Sequence, residues 1–165
     1  MWSVSRSVVA GVALSLALSG AGAGVQAAEP VAPAAAGFDP VADGAAVVQQ
    51  ANWDAMQAVE VRMSEYNYEP AALVFKSGQP YKLVLRNVGK EPHYFTAPAF
   101  FKAVASRKVQ SRDAEIKAYY FNAFEVLPGG SLEFFFVPVT KGDFALCCTM
   151  KGHKDNGMVG TIKVE

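Results

Sequence analysis

From Ala58 onward, apolar and polar residues alternate in short runs. Val59, Val61 and Met63 alternate with Glu60, Arg62 and Ser64, and Tyr81, Leu83 and Leu85 with Lys82 and Arg86. Leu132, Phe134 and Phe136 share one phase of a third run, Phe144, Leu146 and Cys148 a fourth, and Ile162 and Val164 the last. Residues two apart lie on one face of a strand, so each run presents an apolar face to a core. The breaks carry turn chemistry: Ser77-Gly78-Gln79-Pro80, Asn87-Val88-Gly89, Pro128-Gly129-Gly130 and Lys141-Gly142-Asp143. Short alternating runs joined by Gly/Pro turns predict an all-β, antiparallel sandwich or barrel.

Two stretches depart from this period. Phe100 to Lys117 reads as a long connection, with a helical turn predicted around Asp113 to Ala118. Residues Ala28 to about Ala46 are rich in Ala, Pro and Gly and read as a flexible arm. The helix formers of Ala45 to Gln57 predict a short helix after it. No internal repeat is visible.

Ahead of the arm lies a third kind of segment. Arg6, an apolar run from Val8 to Leu18 and small residues up to Ala27 follow one another in the order of a secretory signal, with cleavage expected after Ala27. An apolar run of 11 residues falls short of the roughly 20 that span a bilayer. The expected organisation is therefore a signal peptide over 1–27, an arm and short helix over 28–57, and a single domain over 58–165. The mature protein is expected to be periplasmic, without stable membrane insertion, and a monomer.

Charge adds little. The precursor has 15 basic and 15 acidic side chains, so nothing points to nucleic acid or a charged membrane surface. The basic stretch from Lys102 to Lys117 reads as a solvated loop face before it reads as a docking site. The two cysteines say more. Cys147 and Cys148 are neighbours, and Cα atoms about 3.8 Å apart fall short of the usual disulfide range of about 4.4–6.8 Å. A bridge between them would be strained, so at least one has another use.

That use is suggested by spacing. Four residues separate Cys148 from His153 and four more separate His153 from Met158, all between two predicted strands. His93, the only other histidine, follows the turn after the Tyr81 to Asn87 run. Two imidazoles, a thiolate and a thioether form the ligand set of a type 1 copper centre, because sulfur donors favour Cu(I) while imidazole serves both oxidation states. Zinc prefers Cys, His and carboxylate over Met. A two-copper centre would need two cysteines facing one site, and alternation turns Cys147 away from the face of Cys148.

These residues resemble the copper loop of the cupredoxins, with a Cys-x4-His-x4-Met spacing similar to that of rusticyanin and auracyanin. Gly142 and Phe144 match the family's lead-in to the cysteine, and Asn87-Val88-Gly89-Lys90-Glu91-Pro92-His93 resembles its Asn-x4-Pro-His approach to the first ligand. The resemblance spans about Ala58 to Glu165. It implies a Greek-key β-sandwich of about eight strands with one copper ion at one end, held by His93, Cys148, His153 and Met158. It departs at Tyr94, where many cupredoxins carry Asn or Ser in a hydrogen bond that tunes the potential. The implied function is single-electron transfer between redox proteins such as cytochromes, through small and transient interfaces, with no small-molecule substrate. The alternative is copper tolerance or delivery, for which the chain has few spare Met or His residues. A copper enzyme would need more domains or further histidines.

Overall fold

The computed structural model describes residues 40–165. The signal segment and the arm up to residue 39 lie outside the described residues. Strands β1 (Gln57–Ser64), β2 (Asn67–Glu69), β3 (Ala72–Phe75), β4 (Tyr81–Asn87), β5 (His93–Thr96), β6 (Val104–Gln110), β7 (Glu115–Ile116), β8 (Ala123–Val126), β9 (Ser131–Pro138), β10 (Gly142–Cys147) and β11 (Val159–Val164) are joined by little helix: α1 (Gly44–Gln50), a 3-10 turn (Trp53–Ala55) and α2 (Pro98–Phe101).

One sheet has the order β2-β1-β4-β9-β6-β7 and the other β3-β11-β10-β5-β8. From β3 to β6 the chain changes sheet at every step, so sequence-distant strands such as β4 and β9 become neighbours. The pairing is mixed where only antiparallel pairing was expected: β1 runs parallel to β4, and β3 parallel to β11. The physical reason is the crossing itself, because a strand that leaves for the other sheet returns in either direction. Described strands number eleven against about eight expected, and the surplus includes β2 and β7, three and two residues long. Both sit at the edges of one sheet, where short strands limit edge-to-edge pairing.

The alternation reads out as burial. In β1 and β4, Val61, Met63, Leu83 and Leu85 enter the core, while Glu60, Arg62 and Arg86 stay outside it. Phe75, Phe95, Phe100, Phe101, Phe134 and Phe136 are each buried to within 1 % and meet in stacked and edge-on pairs. Taking each such side chain out of water contributes about 1.5–3 kcal/mol. Phe135 points the opposite way and is also buried. Helix α1 lies against β6 and β9, and Lys108 Nζ sits 4.9 Å from the Phe135 ring centre.

Three sequence expectations need correction. The predicted helix over Ala45 to Gln57 ends at Gln50, where Ala51 turns extended and the Asn52 side chain accepts from Asp54 N to start the separate 3-10 turn. The helical turn expected around Asp113 to Ala118 is instead the short strand β7; the helical turn of this connection is α2, opened by Pro98 in its first turn, where a missing N–H costs nothing. The connection itself contains β6, a seven-residue strand. Its apolar residues Val104 and Val109 are out of phase for simple alternation. A register shift between Ser106 and Lys108 inserts one residue and brings both into the core.

The basic side chains of this stretch are engaged within the molecule. Arg107 lies 4.3 Å from the Trp53 ring centre, Lys108 bonds to Glu115 at 2.8 Å, and Lys117 pairs with Glu115 at 3.5 Å. No helix of the described residues is long and apolar enough to cross a membrane.

Candidate metal centre

Strand β10 delivers its side chains alternately, so Leu146 and Cys148 turn inward and are buried, while Cys147 is half-exposed. Cys147 faces Thr96 of β5 and Val159 of β11 as a cross-strand partner. Both cysteines are free thiols, in line with the strain argument against bridging them.

After Cys148 the chain folds into a compact loop tied by its own backbone. His153 N donates to Met150 O, Met158 N to His153 O and Cys148 N to Met158 O, at 3.0–3.1 Å. Gly152 and Gly157, on either side of His153 in the chain, have φ of +82° and +99°, values that L side chains rarely adopt. This left-handed backbone lets the eleven residues 148–158 turn back between β10 and β11 with His153 pointing inward. His153 and Met158 are both buried, Met158 completely.

His93 arrives from the other side as the first residue of β5, paired with Val126 of β8. The turn before it is fixed by Asn87, whose side-chain amide donates to Glu91 O at 2.7 Å and to Val126 O at 2.8 Å. The sequence's Asn-x4-Pro-His pattern thus has a mechanical role: the asparagine closes the loop that places the histidine.

One ring nitrogen from each of His93 and His153 and the sulfur of Cys148 lie within 4.8 Å of one another, and all three residues are buried. Cys148 Sγ is 3.5 Å from His153 Nδ1, and the two imidazole rings are 5.1 Å apart at their centres. His93 is wholly buried, yet neither of its ring nitrogens has a hydrogen-bond partner. An unsatisfied buried polar group costs about 1–3 kcal/mol, so a lone pair aimed among two other donors calls for an electrophile. Burial also holds the His93 pKa below its ordinary value, against the opposing pull of Glu65. The ring is therefore neutral and able to ligate at neutral pH. Of the four residues singled out by spacing, His93, Cys148 and His153 are brought together by the fold. Met158 is tied to the cluster through its carbonyl on Cys148 N.

Sequence reasoning missed the groups around this cluster. Tyr94 N–H donates to Cys148 Sγ at 3.3 Å, so the position flagged as a departure supplies a backbone donor whatever its side chain. The side-chain link between strand and cysteine loop is made two residues later, by Thr96 Oγ1 and Thr149 Oγ1 at 3.0 Å. The Tyr94 hydroxyl turns instead to Glu125, its cross-strand partner, and that hydrogen bond raises its pKa. Tyr68 OH donates to Tyr94 O at 2.5 Å, holding the strand from behind. Two carboxylates complete the surroundings. Glu91 Oε2 is 2.9 Å from His153 Nε2, and Glu65 Oε1 is 3.6 Å from His93 Nε2. Backbone N–H groups, including those of Lys90 and Glu91, hold the Glu65 pKa down to about 2. No periodicity or spacing marks either glutamate, because both reach the cluster from turns.

No protein-family model and no curated protein matches the sequence. Solved structures do. The McoA multicopper oxidase of Aquifex aeolicus superposes with a TM-score of 0.56 at 12 % identity, over 69 % of this chain and 30 % of that one. The copper-containing nitrite reductase NirK of Thermus scotoductus gives 0.53 at 14 % identity, over 66 % and 31 %. An auracyanin of Roseiflexus castenholzii gives 0.47 at 18 % identity, over 70 % and 98 %. The chain thus spans under a third of the oxidase and the reductase. With its six- and five-stranded sheets, its sheet-crossing connections and its superposition on parts of the oxidase and the reductase, the chain has a cupredoxin-like β-sandwich fold.

Proposed function

We propose that this chain is an exported blue-copper protein that carries single electrons, with one type 1 copper ion held by His93, Cys148, His153 and Met158. The observation that carries this reading is the wholly buried His93, its ring nitrogens unpartnered, beside a buried thiol and a second buried imidazole. The donor chemistry fits copper best among the common metals, since a thiolate, two imidazoles and a nearby thioether suit Cu(I) and Cu(II) alike. When bound, the ion supplies a reversible one-electron couple; no bond in the protein is made or broken.

The chain's own residues do the rest. The Tyr94 N–H donates to Cys148 Sγ and holds the sulfur in place beside the two imidazoles. The backbone ties of the 148–158 loop and the Asn87 clamp hold the donors in one geometry, which limits rearrangement when the charge changes. Burial of all three donors keeps water and exogenous ligands from the ion. A copper carrier would need the opposite, an exposed donor that a recipient can attack, and this burial disfavours that reading. An enzyme is disfavoured as well, because the described histidines are both spent on one site. The partners in this reading are larger redox proteins such as cytochromes, outside the cytoplasm.

The visible and EPR spectra of the Cu(II) protein test the reading. An intense thiolate-to-copper band near the red end of the spectrum is expected. It should vanish in Cys148→Ser and persist in Cys147→Ser, because only Cys148 faces the two imidazoles. A colourless Cu(II) protein, or loss of the band only in Cys147→Ser, would overturn the assignment.

A further inference from the structure

His153 is held by more than its place in the loop. Its Nε2 lies 2.9 Å from Glu91 Oε2, the Tyr66 ring packs against it in a T-shaped pair with ring centres 5.0 Å apart, and its side chain is 5 % exposed. Nε2 faces an acceptor, so in the neutral ring the proton belongs on Nε2 and the lone pair on Nδ1. That Nδ1 is the atom 3.5 Å from Cys148 Sγ. The carboxylate thereby selects the tautomer whose lone pair points into the cluster.

Glu91 is itself held from two sides. Its carbonyl accepts from the Asn87 side chain at 2.7 Å, and its N–H donates to Glu65 Oε1 at 2.8 Å. Glu65 Oε1 also takes the N–H of Lys90 at 2.5 Å. The Glu65 carboxylate rests over Gly89, where a Cβ would come within 2.6 Å of its oxygen. A continuous set of contacts therefore runs from the β1–β2 turn through the 89–91 loop to the outer edge of His153. His93 has no equivalent, because Glu65 is 3.6 Å from its Nε2 and no hydrogen bond forms.

We propose that Glu91 is a positioning residue for His153: it accepts the Nε2 proton, fixes the ring with Nδ1 toward Cys148, and makes that nitrogen a stronger donor to the oxidised ion. The proposal rests on the copper reading above for its effect on potential, but its claim about the ring stands in the metal-free protein too. A carboxylate behind a ligating imidazole raises the basicity of the ligand, and removing such a partner commonly costs about 10–100-fold in metal affinity. The more highly charged Cu(II) gains more from the added basicity than Cu(I) does. Loss of Glu91 should thus weaken Cu(II) binding selectively and raise the reduction potential.

The experiment has two arms at one fixed pH. In the metal-free full-length protein, nitrogen NMR of the His153 ring should show the Nε2–H tautomer in the wild type and a mixture in Glu91→Ala. In the copper-loaded protein, Glu91→Ala should bind Cu(II) about tenfold more weakly and have a potential higher by about 59 mV, the one-electron equivalent of that factor. Glu91→Gln, which keeps an acceptor oxygen without the charge, should retain the tautomer and show a smaller shift. Thermal melting of the metal-free variants separates these effects from loss of fold. A wild-type His153 carrying its proton on Nδ1 would overturn the proposal whether or not copper binds. A potential unchanged in Glu91→Ala would overturn it with the copper reading intact. Failure of the wild type to bind copper would sink that reading while leaving the tautomer result to decide the role of Glu91.

Discussion

At the scale of single residues, the centre divides into donors and the groups that set their strength. In the proposed copper centre Met158 would be the donor whose contribution is tunable, because a thioether is weak and favours Cu(I). It is wholly buried and its backbone is fastened to His153 and Cys148, so its side chain can be changed without moving the loop. Met158→Gln places a harder oxygen donor in nearly the same volume. The copper should remain bound and the potential should fall, by about 59 mV for each tenfold gain in preference for Cu(II). Voltammetry decides it, and an unchanged potential would reduce Met158 to a packing residue. Cys148 and His153, which the fold clusters with His93, were legible in the sequence because the strand–loop–strand spacing fixes them locally. Glu65, Glu91 and the Tyr94 N–H were not legible. Their roles come from turns that meet only once both sheets have formed, and a backbone N–H has no residue type to reveal it.

At the scale of elements, legibility followed the regularity of alternation. Strands β1 and β4 were readable because polar residues mark most of their outward positions, and β9 by the shared phase of Leu132, Phe134 and Phe136. Strand β6 was not, since one inserted residue at its register shift resets the phase between Val104 and Val109. The hairpin of β6 with β7 shows how two lysines of the basic stretch are engaged. Lys108 and Lys117 both reach Glu115, and the Lys108 hydrogen bond, followed by the Lys117 charge, holds that carboxyl below its ordinary pKa. A group with a depressed folded pKa stabilises the fold above its unfolded pKa and loses that contribution as pH falls through the folded value. The β7 edge should therefore loosen in acid before the body of the sheet does. Both pairs are at the surface, so the effect on global stability should be small. Carbon NMR of the Glu115 carboxyl checks this: Lys108→Met should move its titration upward toward the ordinary range. A titration curve that stays in place would remove Lys108 as the cause.

At the scale of the whole molecule, the three clustered donors hang on two separate supports. His93 begins β5, whereas Cys148 and His153 belong to the connection between β10 and β11. The supports are cross-braced by the β5–β10 pairing of Cys147 with Thr96, by the Thr96–Thr149 hydroxyl contact, and by Tyr94 N–H on the Cys148 sulfur. Beneath them lies the aromatic core, with Phe95 and Leu146 buried next to the donor segments. A frame braced in this way resists the opening that release of an ion requires, and it changes little between two charge states. Those are the requirements of repeated electron exchange and the reverse of those for handover. The spare sulfurs of this region are Cys147, half-exposed on the opposite face of the strand from Cys148, and Met150, partly buried against the core. The copper-loaded protein should therefore pass through many rounds of reduction and reoxidation by a cytochrome, in the presence of a Cu(I) chelator, and keep its metal. Absorbance of the thiolate band and of the chelate complex can be followed together. Retention of the band through successive cycles with no rise in chelate is the expected outcome. Stoichiometric transfer to the chelator within the first few reductions would mean that the buried donors open on reduction, and the carrier reading would then replace electron transfer.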